Sequence, residues 1–171
     1  MSTTPRLPAV DSAEPATFAG VTAHAPKMMR DFFGVYAEFW QNGVVAAEVK
    51  EMTRLRNARM TDCGYLKNVR FDSARAAGLD ETRAALVADN YAQTLAPHEI
   101  AALALTDALV GIPQALNDEL KAQLSLHYTQ AQRVELGLGV GLFLGMSKVL
   151  IALGCEPEEM PVTVVPTPGS K

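Results

Sequence analysis

Cys63 is one of two cysteines in this chain, and its surroundings in sequence favour chemistry at its sulfur. Thr61 and Asp62 are N-cap residue types, so Cys63 should fall in the first turn of a helix. Unpaired backbone N–H groups and the positive end of the helix dipole there favour a thiolate over a thiol. Gly78 is a natural C′ residue, which predicts that this helix closes at about Ala77. On such a helix Cys63, Leu66 and Arg70 stand at i, i+3 and i+7 and share one face. Arg70 would lie about 10 Å along the axis from Cys63. Its side chain leans back toward the N-terminus, which brings the guanidinium toward the sulfur. Glu51 sits twelve residues before Cys63, on a preceding helix. An antiparallel pairing of the two helices returns Glu51 to the same pocket; spacing alone favours a solvated helix charge or an i,i+3 pair with Arg54.

These residues carry a family resemblance. Glu51, Cys63, the run Arg54-Leu55-Arg56-Asn57-Ala58-Arg59 leading into Cys63-Gly64-Tyr65, and Ala74-Arg75-Ala76-Ala77-Gly78-Leu79 resemble the carboxymuconolactone decarboxylase family, which includes the alkylhydroperoxidase D-like proteins. The block 97–154 is similar as well, and the likeness covers roughly residues 24–158. The redox branch of that family has a glutamate, a Cys-x-x-Cys twelve residues on, and a histidine after three more. Here Leu66 stands at the second cysteine position and Arg70 at the histidine position. The resemblance implies an all-α fold of about seven helices and a homo-oligomer built from dimers or trimers. It makes Glu51 a pocket carboxylate and implies a thiol-dependent, antioxidant-type oxidoreductase. Cys63 would be the peroxidatic thiolate, Glu51 its proton acceptor and Arg70 the electrostatic support.

The substitutions constrain that chemistry. Leu66 cannot form a disulfide, so a Cys-x-x-Cys cycle is excluded. What remains is one cysteine with an external thiol reductant, or Cys155 as a distant resolving partner, which demands Cα atoms within about 7 Å. An arginine cannot deprotonate as a histidine does, so Arg70 can hold a carboxylate or lower a thiol pKa but not shuttle protons. Tyr65 and Leu66 complete the pocket, Tyr65 as a proton donor or a packing residue. Two other readings stay open. One is a decarboxylase or lactone-processing enzyme acting on a small carboxylate through Arg70 and Glu51, without the thiol. The other is a non-catalytic oligomeric binding protein that keeps the fold. Against a role for Cys63 stands an unreactive apolar cysteine at a helix start.

Composition bounds the rest. The chain of 171 residues fits one domain, and 49% hydrophobic and 20% charged content fit a soluble globular protein. A net charge of −4 favours neither nucleic acid nor an anionic membrane as partner. Two cysteines far apart read as free thiols of a reducing cytoplasm, and no metal or other cofactor is implied by the spacing of three histidines and two cysteines. Residues 1–23 read as an extended arm, without a secretory signal, and 159–171 as an extended tail in which 162–165 could pair with a neighbour. The apolar run 136–146 is too short to span a membrane and reads as a buried helix.

The elements that would position the pocket follow from periodicity. Pro26 suits the first turn of a helix whose Met29, Phe32, Phe33, Tyr36, Phe39 and Trp40 form an aromatic face. A second helix spans about 46–59, with Val45, Val49, Met52 and Leu55 inward. Asp80 caps a helix to about Gln93, and Pro97 opens one that stops at Gly111. Asn117 caps the next. Thr129 with Gln132 makes a capping box for a long last helix ending at Gly154. Gly137, Gly141 and Gly145 line one face of that helix and suggest close approach of another, from the same subunit or a neighbouring one. No strand-like alternation appears before residue 160.

Overall fold

The computed structural model describes residues 4–112, 116–157 and 159–170. Among them the chain forms nine α-helices, one 3-10 turn and a two-stranded parallel sheet. In order these are α1 (Phe18–Thr22), α2 (Pro26–Asn42), α3 (Ala47–Met60), α4 (Gly64–Asn68), β1 (Val69–Phe71), α5 (Asp72–Ala76), α6 (Glu81–Ala85), α7 (Pro97–Val110), α8 (Asp118–His127), α9 (Gln130–Leu153) and β2 (Thr163–Val165). The all-α class is as the sequence implies.

Helix α3 is the centre. Residues 49–58 are all buried, although the segment is rich in charge. Such a helix is stable inside only if each charge finds a partner. Lys50 donates to the Phe39 carbonyl at 2.6 Å and pairs with Glu135 at 3.0 Å. Glu135 in turn accepts from the N–H groups of Val44 and Val45, pinning the α2–α3 turn to α9. Arg56 reaches Asp107 on α7 and Asp89. Around this helix pack α7 and α9, with α8 outside α7. The aromatic face of α2 meets β1 and α9, where Tyr36, Phe39, Trp40, Phe71 and Phe143 form edge-to-face contacts.

Several caps fall where the residue types put them, but Thr61 and Asp62 do not cap α4: Thr61 ends α3 and Cys63 is itself the N-cap. Pro26 opens α2, the Asn117 side chain accepts from Leu120 N–H, Thr129 and Gln132 form the capping box of α9, and Gly154 closes it at φ 65°. Two further expectations need correction. The segment after Cys63 is not one helix to Ala77 but α4, β1 and α5 in succession. The Asp80-capped helix ends at Ala85, and a 3-10 turn at Tyr91–Gln93 follows it. Among the described residues no helix of this chain closely approaches Gly137, Gly141 or Gly145, whereas Gly139 takes a close neighbour: a Cβ there would stand 2.6 Å from the Phe39 ring. One face of α9 is therefore core (Leu136, Val140, Phe143, Leu150), while Val134, Leu138 and Val149 on the other are exposed. By length and hydropathy α9 could cross a membrane, as a core helix of a soluble protein also can.

Candidate thiol site

Cys63 is the N-cap of α4, and its neighbours are apolar. It packs with Ala58, Leu66, Met146 and Leu150 and has no exposed surface. Burial pushes its thiol up to about 11. The N–H groups of Leu66 and Tyr65, at the start of the helix, pull the other way, and the adjacent Glu156 carboxylate adds to the rise. Desolvation is the largest of these effects, so the expected thiolate is a protonated thiol at neutral pH. The expectation of an ionised sulfur is thus corrected: a five-residue helix offers too little compensation for a dry apolar seat.

The charged groups expected around the sulfur are engaged elsewhere. Glu51 and Arg54 form a bidentate pair inside α3, Nε to Oε2 at 2.7 Å and Nη2 to Oε1 at 2.6 Å, both side chains buried. Arg54 also donates to the carbonyls of Leu66 and Val69, and Glu51 accepts from Phe71 N–H. These contacts take up backbone groups that a helix continuing from α4 would use itself. The chain runs extended instead, and β1 pairs in parallel with β2, Arg70 opposite Val164. Arg70 therefore does not share a helix face with Cys63. It points to Glu81 at 3.0 Å and caps the carbonyls of Lys67 and Val69. Tyr65 and Leu66 do lie beside Cys63, Leu66 as packing and Tyr65 toward a cavity.

That cavity, about 460 Å³, opens next to the thiol cluster. Phe18 and Ala19 of α1 form one wall; Tyr65, Cys155, Glu156 and Pro157 form the other. The N-terminal segment is held there by Arg6, whose N–H donates to the Leu153 carbonyl at 2.9 Å. Glu156 lines the cavity and accepts from Gly64 N–H at 2.6 Å. Cys155 is half-buried and packs against the cluster that contains Cys63.

Comparison with known proteins fits this fold. Over 107 residues the chain is 30% identical to the uncharacterized protein YdfG of Bacillus subtilis (strain 168), a match covering 61% of this chain and 73% of that protein. The chain belongs to the YdfG family. No family model matches it. Its fold is similar to the crystal structure of a protein of unknown function from Agrobacterium tumefaciens, proposed there as an antioxidant defence protein, AhpD. The TM-score is 0.68 at 16% identity, over 81% of this chain and 96% of that one. The fold is accordingly AhpD-like.

In this YdfG-family chain the residue that sequence reasoning missed is Glu156. It lies in a proline-flanked tail with no helical period to place it. The Gly154 stop marks the end of α9, but it does not say where Glu156 goes after it.

Proposed function

We propose that this protein is a thiol-dependent, peroxidase-type oxidoreductase of AhpD-like kind, in which the proton acceptor of Cys63 is Glu156 rather than Glu51. The observation that supports it is the position of Glu156, with one oxygen on Gly64 N–H and its charge felt by the Cys63 thiol, at the edge of a cavity. The resting thiol is protonated, so reaction requires proton removal as the sulfur attacks, and a carboxylate at the sulfur provides that. Glu51 has no such freedom, because Arg54 and the Phe71 N–H occupy its oxygens. The same reading treats this chain as an outlying member of the carboxymuconolactone decarboxylase family, assembled as a homo-oligomer; the uncovered apolar face of α9 supports assembly. Consumption of an organic hydroperoxide with a dithiol reductant tests the activity. Cys63→Ser should reduce it to the uncatalysed rate; unchanged consumption overturns the reading.

A second reading is favoured by the complete burial of Cys63 and the closed Glu51–Arg54 and Arg70–Glu81 pairs. In it the AhpD-like fold serves binding, without thiol chemistry. Absence of hydroperoxide consumption by the wild-type protein, with Cys63 inert to oxidants, selects it.

A further inference from the structure

The two cysteines are remote in sequence but not in the fold. Cys63 is the N-cap of α4, and Cys155 follows the Gly154 stop of α9. The contact between Gly64 N and Glu156 Oε1 places the residue after Cys63 within one side chain's length of the residue after Cys155. Cys155 packs on the cluster of Ala58, Cys63, Leu66, Met146 and Leu150, and it lines the cavity, which Cys63 does not. Both are free thiols. One is therefore reached from the cavity and the other lies behind it, with a carboxylate at their boundary.

We propose that Cys63 and Cys155 are a dithiol pair that closes to an intramolecular disulfide, with Cys155 meeting the oxidant and Cys63 resolving it. This rests on the thiol-dependent reading, gives it the second thiol that position 66 lacks, and assigns the Glu156-assisted attack of Cys63 to the disulfide-forming step, since Cys155 and not Cys63 lines the cavity. With a hydroperoxide as oxidant, Cys155 sulfur attacks the peroxide oxygen. An S–O bond forms, the O–O bond breaks, and the alcohol leaves with the thiol proton. Cys63 sulfur then attacks Cys155 sulfur: the S–S bond forms, the S–O bond breaks, and hydroxide leaves as water with the Cys63 proton, carried by Glu156. Two thiols and one hydroperoxide become a disulfide, an alcohol and water. Closure requires the two Cα atoms within about 7 Å.

The test uses the full reduced chain treated with diamide or with hydrogen peroxide, then digested with trypsin without reduction. The cysteines fall on separate peptides, 60–67 and 149–171. The expected product is these two peptides linked in monomeric protein, two hydrogens lighter than their sum, and lost in Cys155→Ser. Recovery of both peptides unlinked, or linkage only between two chains, overturns the pair. The pair and the peroxidase reading fail separately. A diamide-formed link without hydroperoxide consumption keeps the pair and removes the activity. Full consumption by Cys155→Ser keeps the activity and removes Cys155 from it.

Discussion

Two carboxylates lie near the segment that follows α3, and their settings differ in kind. Glu51 is inside the protein, gripped by the Arg54 fork and the Phe71 N–H. Glu156 is at a cavity edge, with one oxygen on a backbone N–H and a thiol beside it. The first pair organises structure: it collects the carbonyls of Leu66 and Val69 and ends the helix that began at Cys63. The second retains capacity to take a proton. A carboxylate's usefulness for chemistry is thus decided by how many of its lone pairs the fold has already spoken for, and not by its spacing from a cysteine.

The sharpest way to break this contrast is at Glu51. Glu51→Gln leaves the Arg54 guanidinium buried without its counter-charge and should destabilise by about 3–5 kcal/mol, read by urea unfolding. A joint Glu51→Leu, Arg54→Met change should recover much of that loss. A loss below about 1 kcal/mol for the single change would contradict the structural role assigned to the pair.

Alkaline pH gives the next largest effect. The Cys63 thiol is raised from an ordinary 9.0 to about 11, chiefly by burial. The folded state therefore holds this proton more tightly than the unfolded state. The stabilisation is fully present below pH 9 and is lost as pH rises through about 11. It amounts to roughly 3 kcal/mol. Subtracting the pH dependence of Cys63→Ala from that of the wild type should isolate it; parallel curves would contradict the buried thiol.

Arg70→Ala removes the contact with Glu81 and the side-chain donor to the Lys67 carbonyl, while the Val69 carbonyl keeps its bond from Arg54. A loss of about 1–2 kcal/mol is expected, with no change in the alkylation rate of Cys63. A slower alkylation would restore Arg70 to the thiol's surroundings. Cys155→Ser is the mildest change and should alter stability by less than about 0.5 kcal/mol.

The helical architecture was legible because its signals are local. Pro26, Asn117, the Thr129–Gln132 box and Gly154 each mark an end by their own backbone chemistry. The site was legible only in part. Cys63 does stand at a helix start, with Tyr65 and Leu66 alongside, but as the N-cap itself, because Thr61 ends α3 and Asp62 pairs with Lys67. Arg70 does not join them, because an i,i+7 relation assumes an unbroken helix, and the break is made by Arg54 reaching fifteen residues ahead to Val69. The i,i+3 relation of Glu51 and Arg54 was visible in the spacing, but that the pair is buried was not, since only packing of α7 and α9 around α3 excludes water. Glu156 comes from the other end of the chain, 92 residues from Gly64, and no local pattern announces so remote a contact.

The most direct measurement is the pH titration of Cys63 alkylation, followed by mass of peptide 60–67, in the wild type and in Glu156→Gln. The wild-type rate should rise about tenfold per pH unit toward a midpoint near 11. In Glu156→Gln the midpoint should fall, because a neighbouring negative charge has been removed. A wild-type midpoint at or below about 8.5, or one that Glu156→Gln leaves in place, would contradict the account.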